Sequence, residues 1–366
     1  MADEQHPWVL QLCHGYDGPF LDCARQYAVL FKDTPYNVCT AYLTGEPDKY
    51  VEEASASAEV LFLNYTSAQI RGLKLSAIQD IKRLNKKHMF KFCIAHRYKA
   101  TYIALLATQL PVFGISHAFG DYARFSRQIM ARIFHKRLNL LGVSNAVRDD
   151  IRQKLHWPAK KIEALYNRID VQHIQALQVS RDQARTQLQL PQDAWIVANV
   201  GRLHPDKDQA TLIRGFAHAL PDLQPNSLLV IMGKGRLEDE LKALAKDLDI
   251  EERVVFLGQV PNARRYFKAF DVFALTSDHE PFGMVLLEAM AAGVPIICSD
   301  CGGGREVVDG CGLLFPLGDA IALAEKIIQM KHDFTTINCD NSLNRFSDEA
   351  ARDKFWSLDA VRAACR

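Results

Sequence analysis

The chain has 366 residues, 48% hydrophobic and 24% charged, with 44 Lys and Arg against 43 Asp and Glu for a net charge of +1. That length exceeds one ordinary core and implies two domains of roughly 150–180 residues each. The composition is that of a soluble globular protein, and with no run of about 18 apolar residues it excludes a transmembrane helix. The N-terminus, Met-Ala-Asp-Glu-Gln-His-Pro, is polar and acidic, unlike a secretory signal. Nine cysteines, an odd number, do not read as a disulfide framework and fit a reducing cytosol.

Apolar runs of β type alternate with helical patterns along the whole chain, the mark of α/β domains built on parallel sheets. In the first half strands are predicted over 8–12, 36–40, 59–63, 90–95, 112–115 and 138–143, with long helices over 67–87, 98–110 and 119–136. The first sheet is complete by 163–166, and a polar helical stretch over 171–188 leads to Leu190-Pro191. The second half repeats the alternation. Strands are predicted over 195–200, 227–232, 254–257, 271–275 and 294–298, and helices over 209–220, 236–248, 283–292 and 319–330. An amphipathic helix over 347–364 ends the chain.

The near-zero net charge hides an asymmetry. Between positions 71 and 161 stand 19 Lys and Arg, 4 Asp and no Glu, a net +15, so the remaining residues carry −14. A basic stretch of that size attracts an anionic partner: nucleic acid, an acidic membrane surface or a phosphorylated acceptor. A solvated Lys-rich helical surface is the plainer alternative.

The predicted strand 195–200 delivers Gly201-Arg202-Leu203-His204-Pro205-Asp206-Lys207. Two cations leave the carboxyl edge of a parallel sheet, where open α/β sheets bind ligands. A guanidinium fork and an ammonium together can neutralise a diphosphate. Gly233-Lys234-Gly235 follows the next strand; its glycines permit close backbone approach, but the third Gly of a dinucleotide fingerprint is missing. Glu280-Pro-Phe282-Gly283-Met284-Val285-Leu-Leu-Glu288 sets two carboxylates eight residues apart, the first in a loop and the second in an apolar helix. They would lie about 9–12 Å apart along the axis, a span for one elongated ligand with hydroxyls at both ends. The amides of Phe282, Gly283, Met284 and Val285 form a helix N-terminus suited to phosphate or sugar oxygens. Cys301-Gly302-Gly303-Gly304 reads as a Gly-rich turn, either lining a site or serving loop geometry. Cys298 and Cys301 are spaced C-x-x-C, without the further ligands that zinc requires, and read as two unpaired thiols at a strand end. No Asp-x-Asp stands at a strand end, so no metal site is expected and none of the chemistry calls for a cofactor.

The Glu280–Glu288 segment resembles the signature of family 4 retaining glycosyltransferases, which use the two-domain GT-B architecture. The resemblance implies two Rossmann-like parallel-sheet domains facing each other across a cleft: an acceptor-side domain over 1–172, a nucleotide-sugar domain over 173–345, and a final helix over 346–366 crossing back to the first. It implies that Glu280 faces the donor sugar and Glu288 the ribose, and that Gly201, Arg202 and Lys207 hold the pyrophosphate. Gly233, Lys234 and Val260 would approach the nucleotide, with the backbone at 258–262 reading the base. His117 would sit beside the reacting sugar, His96 is similarly placed at the preceding strand end, and Gly15 is the close-approach position of the first turn. The family's paired-Gly pattern is absent from that turn, since Tyr16-Asp17 separates the glycines. The implied activity is metal-independent transfer, with retention, from a nucleotide diphosphate sugar to an anionic glycan or lipid-linked acceptor, such as a lipopolysaccharide core. It would take place in the cytoplasm or peripherally at the inner membrane face, with no nucleic acid partner. A GT-B sugar-nucleotide epimerase and a non-catalytic nucleotide or glycan binding protein are the alternatives.

Overall fold

The computed structural model describes residues 6–332 and 340–366. The chain divides into two compact units, Met1–Asn167 with Asp348–Arg366, and Arg168–Ser347. Unit 1 is built on seven strands: β1 (Trp8–Cys13), β2 (Asn37–Tyr42), β3 (Glu59–Phe62), β4 (Cys93–His96), β5 (Val112–Ser116), β6 (Leu138–Gly142) and β7 (Ile162–Ala164). Unit 2 carries β8 (Ile196–Val200), β9 (Leu228–Met232), β10 (Val254–Gly258), β11 (Val272–Leu275), β12 (Ile296–Ser299) and β13 (Leu313–Phe315). Every strand pairing is parallel, in the orders β3-β2-β1-β4-β5-β6-β7 and β10-β9-β8-β11-β12-β13. These are two Rossmann-like sheets. Strands such as β5 and β9 are buried along their full length, as expected where helices cover both faces.

Strand order reverses beside β1 and β4 in one sheet and beside β8 and β11 in the other. Ligands bind outside the carboxyl ends of strands at such switch points. The turns that leave β1, β4 and β5, and those that leave β8 to β12, therefore carry the candidate residues.

Several helices are shorter than their periodicity predicts. The helix expected over 67–87 begins at Leu75, after Gly72 and Lys74 adopt positive φ. That over 119–136 is Phe125–Ile133, preceded by a turn at Gly120 with φ +73°. The stretch 171–188 is two helices, Val171–Leu177 and Arg181–Gln187, because Ser180 and Gln183 form a reciprocal capping box that restarts the helix. The tail breaks at Leu358 into Asp348–Ser357 and Asp359–Cys365. Within unit 1, Phe355 and Trp356 pack edge-on against Phe31, Trp356 Nε1 donates to Leu30 O at 2.9 Å, and Arg25 pairs with Asp348 at 3.0 Å. Phe355 is fully buried, and truncating such a ring to Ala costs about 3–5 kcal/mol. The three-residue strand Leu313–Phe315 was not expected. Among the described residues seven cysteines are free, and Cys311 is disulfide-bonded. Among the described residues no helix is long and apolar enough to cross a membrane.

Candidate active site

In unit 2 the turn after β8 meets the turn after β11. Lys207 ends a short 3-10 turn, Pro205–Lys207; Asp208 then caps the helix Gln209–Ala219 by accepting from the Thr211 amide. Thr276 is wholly buried, and its hydroxyl donates to Lys207 O at 2.9 Å; the Asp278 amide donates to Asp206 O at 3.1 Å. With both turns fixed, Lys207 Nζ donates to Glu280 Oε2 at 2.7 Å, and Ser277 Oγ reaches the same oxygen at 3.3 Å. Glu280 is buried, and taking a carboxylate from water is tolerable only with such partners. Lys207 and Glu280 thus converge on one point. Arg202 does not join them: its side chain is 72% exposed and lies 3.7 Å from Asp206, whose other oxygen bonds His204.

The Gly-rich turn after β12 is the start of a helix, Gly302–Val308. Gly303 N donates to Glu280 O at 2.8 Å, and a Cβ on Gly303 would stand 2.2 Å from Pro281 O. These glycines let a helix press against the Glu280 loop, a role in loop geometry. The helix Met284–Ala291 begins at Gly283, whose φ is +95° and which has no side chain to cap the first amides. Phe282 is buried edge-on against Phe346 and anchors this turn. Glu288, half-buried on the same helix, lies 3.6 Å from Arg264. Arg264 escaped the sequence reading; an Arg pair at 264–265 just past the Val260 loop was the available signal.

Gly233 and Gly235 have a different immediate purpose from the one expected. Cβ atoms there would fall 1.8 Å from Gly201 O and 2.1 Å from Leu203 O. Gly233 also has φ +146°, donates to Gly258 O at 2.8 Å, and Leu203 N donates to Lys234 O at 3.1 Å. The glycines allow three turns, those at 201–203, 233–235 and 258, to lie backbone against backbone. Lys234 is exposed on this platform and Val260 half-buried beyond it. Cys298 and Cys301 are neutral thiols, raised by burial first and by the neighbouring thiol or Glu280 after it. Cys301 donates to Ser277 O at 2.9 Å, which helps hold the β11 turn. Among the described residues no group of three or more His, Cys, Asp or Glu could hold a metal ion.

In unit 1, Gly15 is buried beneath Thr44, whose Oγ1 would lie 2.7 Å from a Cβ at that position and donates to His14 O. His96 and His117 come together from the ends of β4 and β5. Their rings stack at 5.3 Å, with His96 Nδ1 3.0 Å from His117 Nε2. Burial and then Arg97 push His117 down to about 3; burial and then His117 push His96 well below the ordinary imidazole value. Both rings are therefore neutral at physiological pH. Arg97, in a left-handed conformation at φ +70°, lays its guanidinium over Phe20, which in turn meets His117 edge-on.

The family described as glycosyl transferases group 1 matches residues 180–353. A Campylobacter jejuni N-acetylgalactosamine-N,N'-diacetylbacillosaminyl-diphospho-undecaprenol 4-alpha-N-acetylgalactosaminyltransferase is 34% identical over 239 residues, 64% of this chain and 60% of that protein. The Rhizobium meliloti lipopolysaccharide core biosynthesis glycosyltransferase LpsE is 34% identical over 186 residues, 49% of this chain and 53% of that one. The match spans roughly half to two thirds of the length of these curated relatives. Anabaena HepE, solved with UDP and glucose, superimposes with a TM-score of 0.76 at 22% identity, covering 94% of this chain and 97% of its own. The lipopolysaccharide outer core galactosyltransferase WaaB superimposes at 0.73 and 18% identity over 97% and 99% of the two chains. Two parallel-sheet units of this topology are the GT-B fold. Over residues 180–353 the chain is similar to the family described as glycosyl transferases group 1, and over part of its length to bacterial proteins named as glycosyltransferases of lipid-linked and lipopolysaccharide glycans.

Proposed function

We propose that this protein moves a sugar from a nucleotide diphosphate sugar to a hydroxyl of a lipid-linked or lipopolysaccharide-core glycan, with retention and without a metal. The observation that carries this reading is the convergence of Lys207 and Glu280 beside an uncapped helix start, with Glu288 further along that helix. Lys207 and the amides of Gly283, Met284 and Val285 face the diphosphate, and Glu280 takes a sugar hydroxyl. Glu288 takes the ribose, with Arg264 as its partner while no nucleotide is bound. Exposed Arg202 swings from Asp206 to the phosphates. His117 hydrogen-bonds a sugar hydroxyl. As the bond from the anomeric carbon to the diphosphate breaks, the acceptor oxygen bonds to the same face. Its proton passes to a diphosphate oxygen, and the cations and amides stabilise the growing negative charge. The relatives are named as transferases, so an epimerase is not favoured.

HepE was solved with UDP-glucose, which makes UDP-sugars the first donors to try. The test is a thermal-shift panel of nucleotide diphosphate sugars: a true donor at 100 times its Kd adds about 2.7 kcal/mol of stability. The gain should survive EDTA and shrink in Arg202→Ala. A panel without any shift, or a shift that needs added magnesium or manganese, overturns the reading.

The acceptor side is proposed to work at an acidic membrane surface. Phe125, Ile129 and Ile133 recur every four residues along the helix Phe125–Ile133 and are 68%, 40% and 68% exposed. Arg124, Arg132 and Lys136 flank this apolar stripe within the +15 stretch of residues 71–161. Apolar side chains ringed by cations suit the boundary of an anionic bilayer.

A further inference from the structure

The histidine pair in unit 1 specifies a proton position that nothing above assigns. His96 is the last residue of β4, 3% exposed, and its Nε2 has no hydrogen-bond partner among the described residues. Its other nitrogen, Nδ1, bonds His117 Nε2 at 3.0 Å. His117 Nδ1 faces Cys23 Sγ at 3.8 Å, a long contact to a weak partner. Each neutral imidazole carries one N–H, and the bond between the rings needs one donor and one acceptor. Two arrangements satisfy it. If His117 Nε2–H donates, His96 must keep its own proton on Nε2, an N–H donor sealed from water and unpaired. If His96 Nδ1–H donates, His96 Nε2 is left with only an unused lone pair. Orphaned buried N–H groups are the rarer defect, so the second arrangement is favoured.

We infer that His96 is a positioning residue that fixes the His117 tautomer with the proton on Nδ1, so that His117 offers a hydrogen-bond donor, and no basic nitrogen, to its ligand. The matching ligand group is an acceptor oxygen, such as a sugar hydroxyl lone pair or a phosphate oxygen; the ligand displaces the weak contact to Cys23 as it binds. A hydroxyl that must lose its proton does not suit this face. The inference rests on the reading that His117 touches the donor sugar, but the tautomer itself can be measured without that reading.

The experiment is long-range proton–nitrogen NMR correlation on the full chain with nitrogen-15 labelled histidine, at neutral pH. His117 should show a protonated Nδ1 and a bare Nε2; a bare Nδ1 with a protonated Nε2 overturns the inference. Two variants add a functional readout. His96→Leu removes the donor and should lower kcat roughly 10-fold, the scale of one lost hydrogen bond, with donor KM little changed. His96→Asn sets an amide N–H where Nδ1–H stood and should recover most of that loss. Equal losses in the two variants, with the wild-type tautomer as expected, would overturn the positioning role. Full activity in His117→Ala would instead remove the sugar contact, while the NMR spectrum would still decide the tautomer.

Discussion

Lys207→Met is the perturbation from which most can be calculated. It removes an ammonium 2.7 Å from Glu280 and leaves a carboxylate 9% exposed, with the Ser277 hydroxyl at 3.3 Å as its remaining side-chain donor among the described residues. Breaking one side of a buried ion pair costs about 3–5 kcal/mol, and the 19% exposure of Lys207 lowers the expectation to about 2–4 kcal/mol. For a unit of this size each kcal/mol shifts Tm by about 2–4 °C, so calorimetry should show a fall of roughly 5–15 °C. Glu280→Gln should cost less. Its amide oxygen still accepts from Lys207, and a long Lys side chain can carry its charge to water. The double variant Lys207→Met with Glu280→Gln should be more stable than the sum of the single losses predicts, by about 1–3 kcal/mol. Additive effects, or a loss under about 0.5 kcal/mol in Lys207→Met, would refute the idea that the two turns are clamped through this pair.

The carboxylates should fail differently in function. Glu280→Gln should depress turnover while nucleotide diphosphate still binds, whereas Glu288→Gln should weaken the nucleotide itself; equal affinity losses by calorimetry would contradict the assignment. Association with acidic liposomes should weaken steeply between low and moderate salt, because surface charges are screened over about 8–10 Å at ordinary ionic strength. Phe125→Ser with Ile133→Ser should reduce the binding that remains at moderate salt, and Lys82→Glu with Lys86→Glu should reduce its salt-sensitive part. Normal binding by both double variants would leave that face a solvated surface.

The sequence was most legible where period and spacing carry the information. Twelve of the thirteen strands among the described residues fall where apolar runs placed them, and the missing one is Leu313–Phe315, a Leu-Leu-Phe step between the turn residues 310–312 and 316–318. Helix starts were read too early at 67 and 119 because positive-φ residues such as Lys74 leave no mark in hydrophobic periodicity. Chemistry was legible by residue type but not by partner. Lys207 and Glu280 were each singled out, yet their ion pair depends on two turns 73 residues apart being brought together by β8 and β11. The same holds for Glu288 with Arg264 and for His96 with His117. Gly233 was legible as a position requiring glycine, but sequence alone does not tell whether a ligand or another backbone makes the close approach. Here it is Gly201 O.

Transfer with retention is tested most directly by the anomeric configuration of the transferred sugar. The protein should be incubated with the donor identified by thermal shift and with a lipid-linked glycan acceptor, and the product followed by proton NMR from the first turnovers. The expected product is a new glycoside with the anomeric configuration of the donor, formed in the presence of EDTA and abolished when Lys207 and Glu280 are both replaced. An inverted product, or transfer that persists undiminished in the doubly replaced protein, would contradict the proposed mechanism.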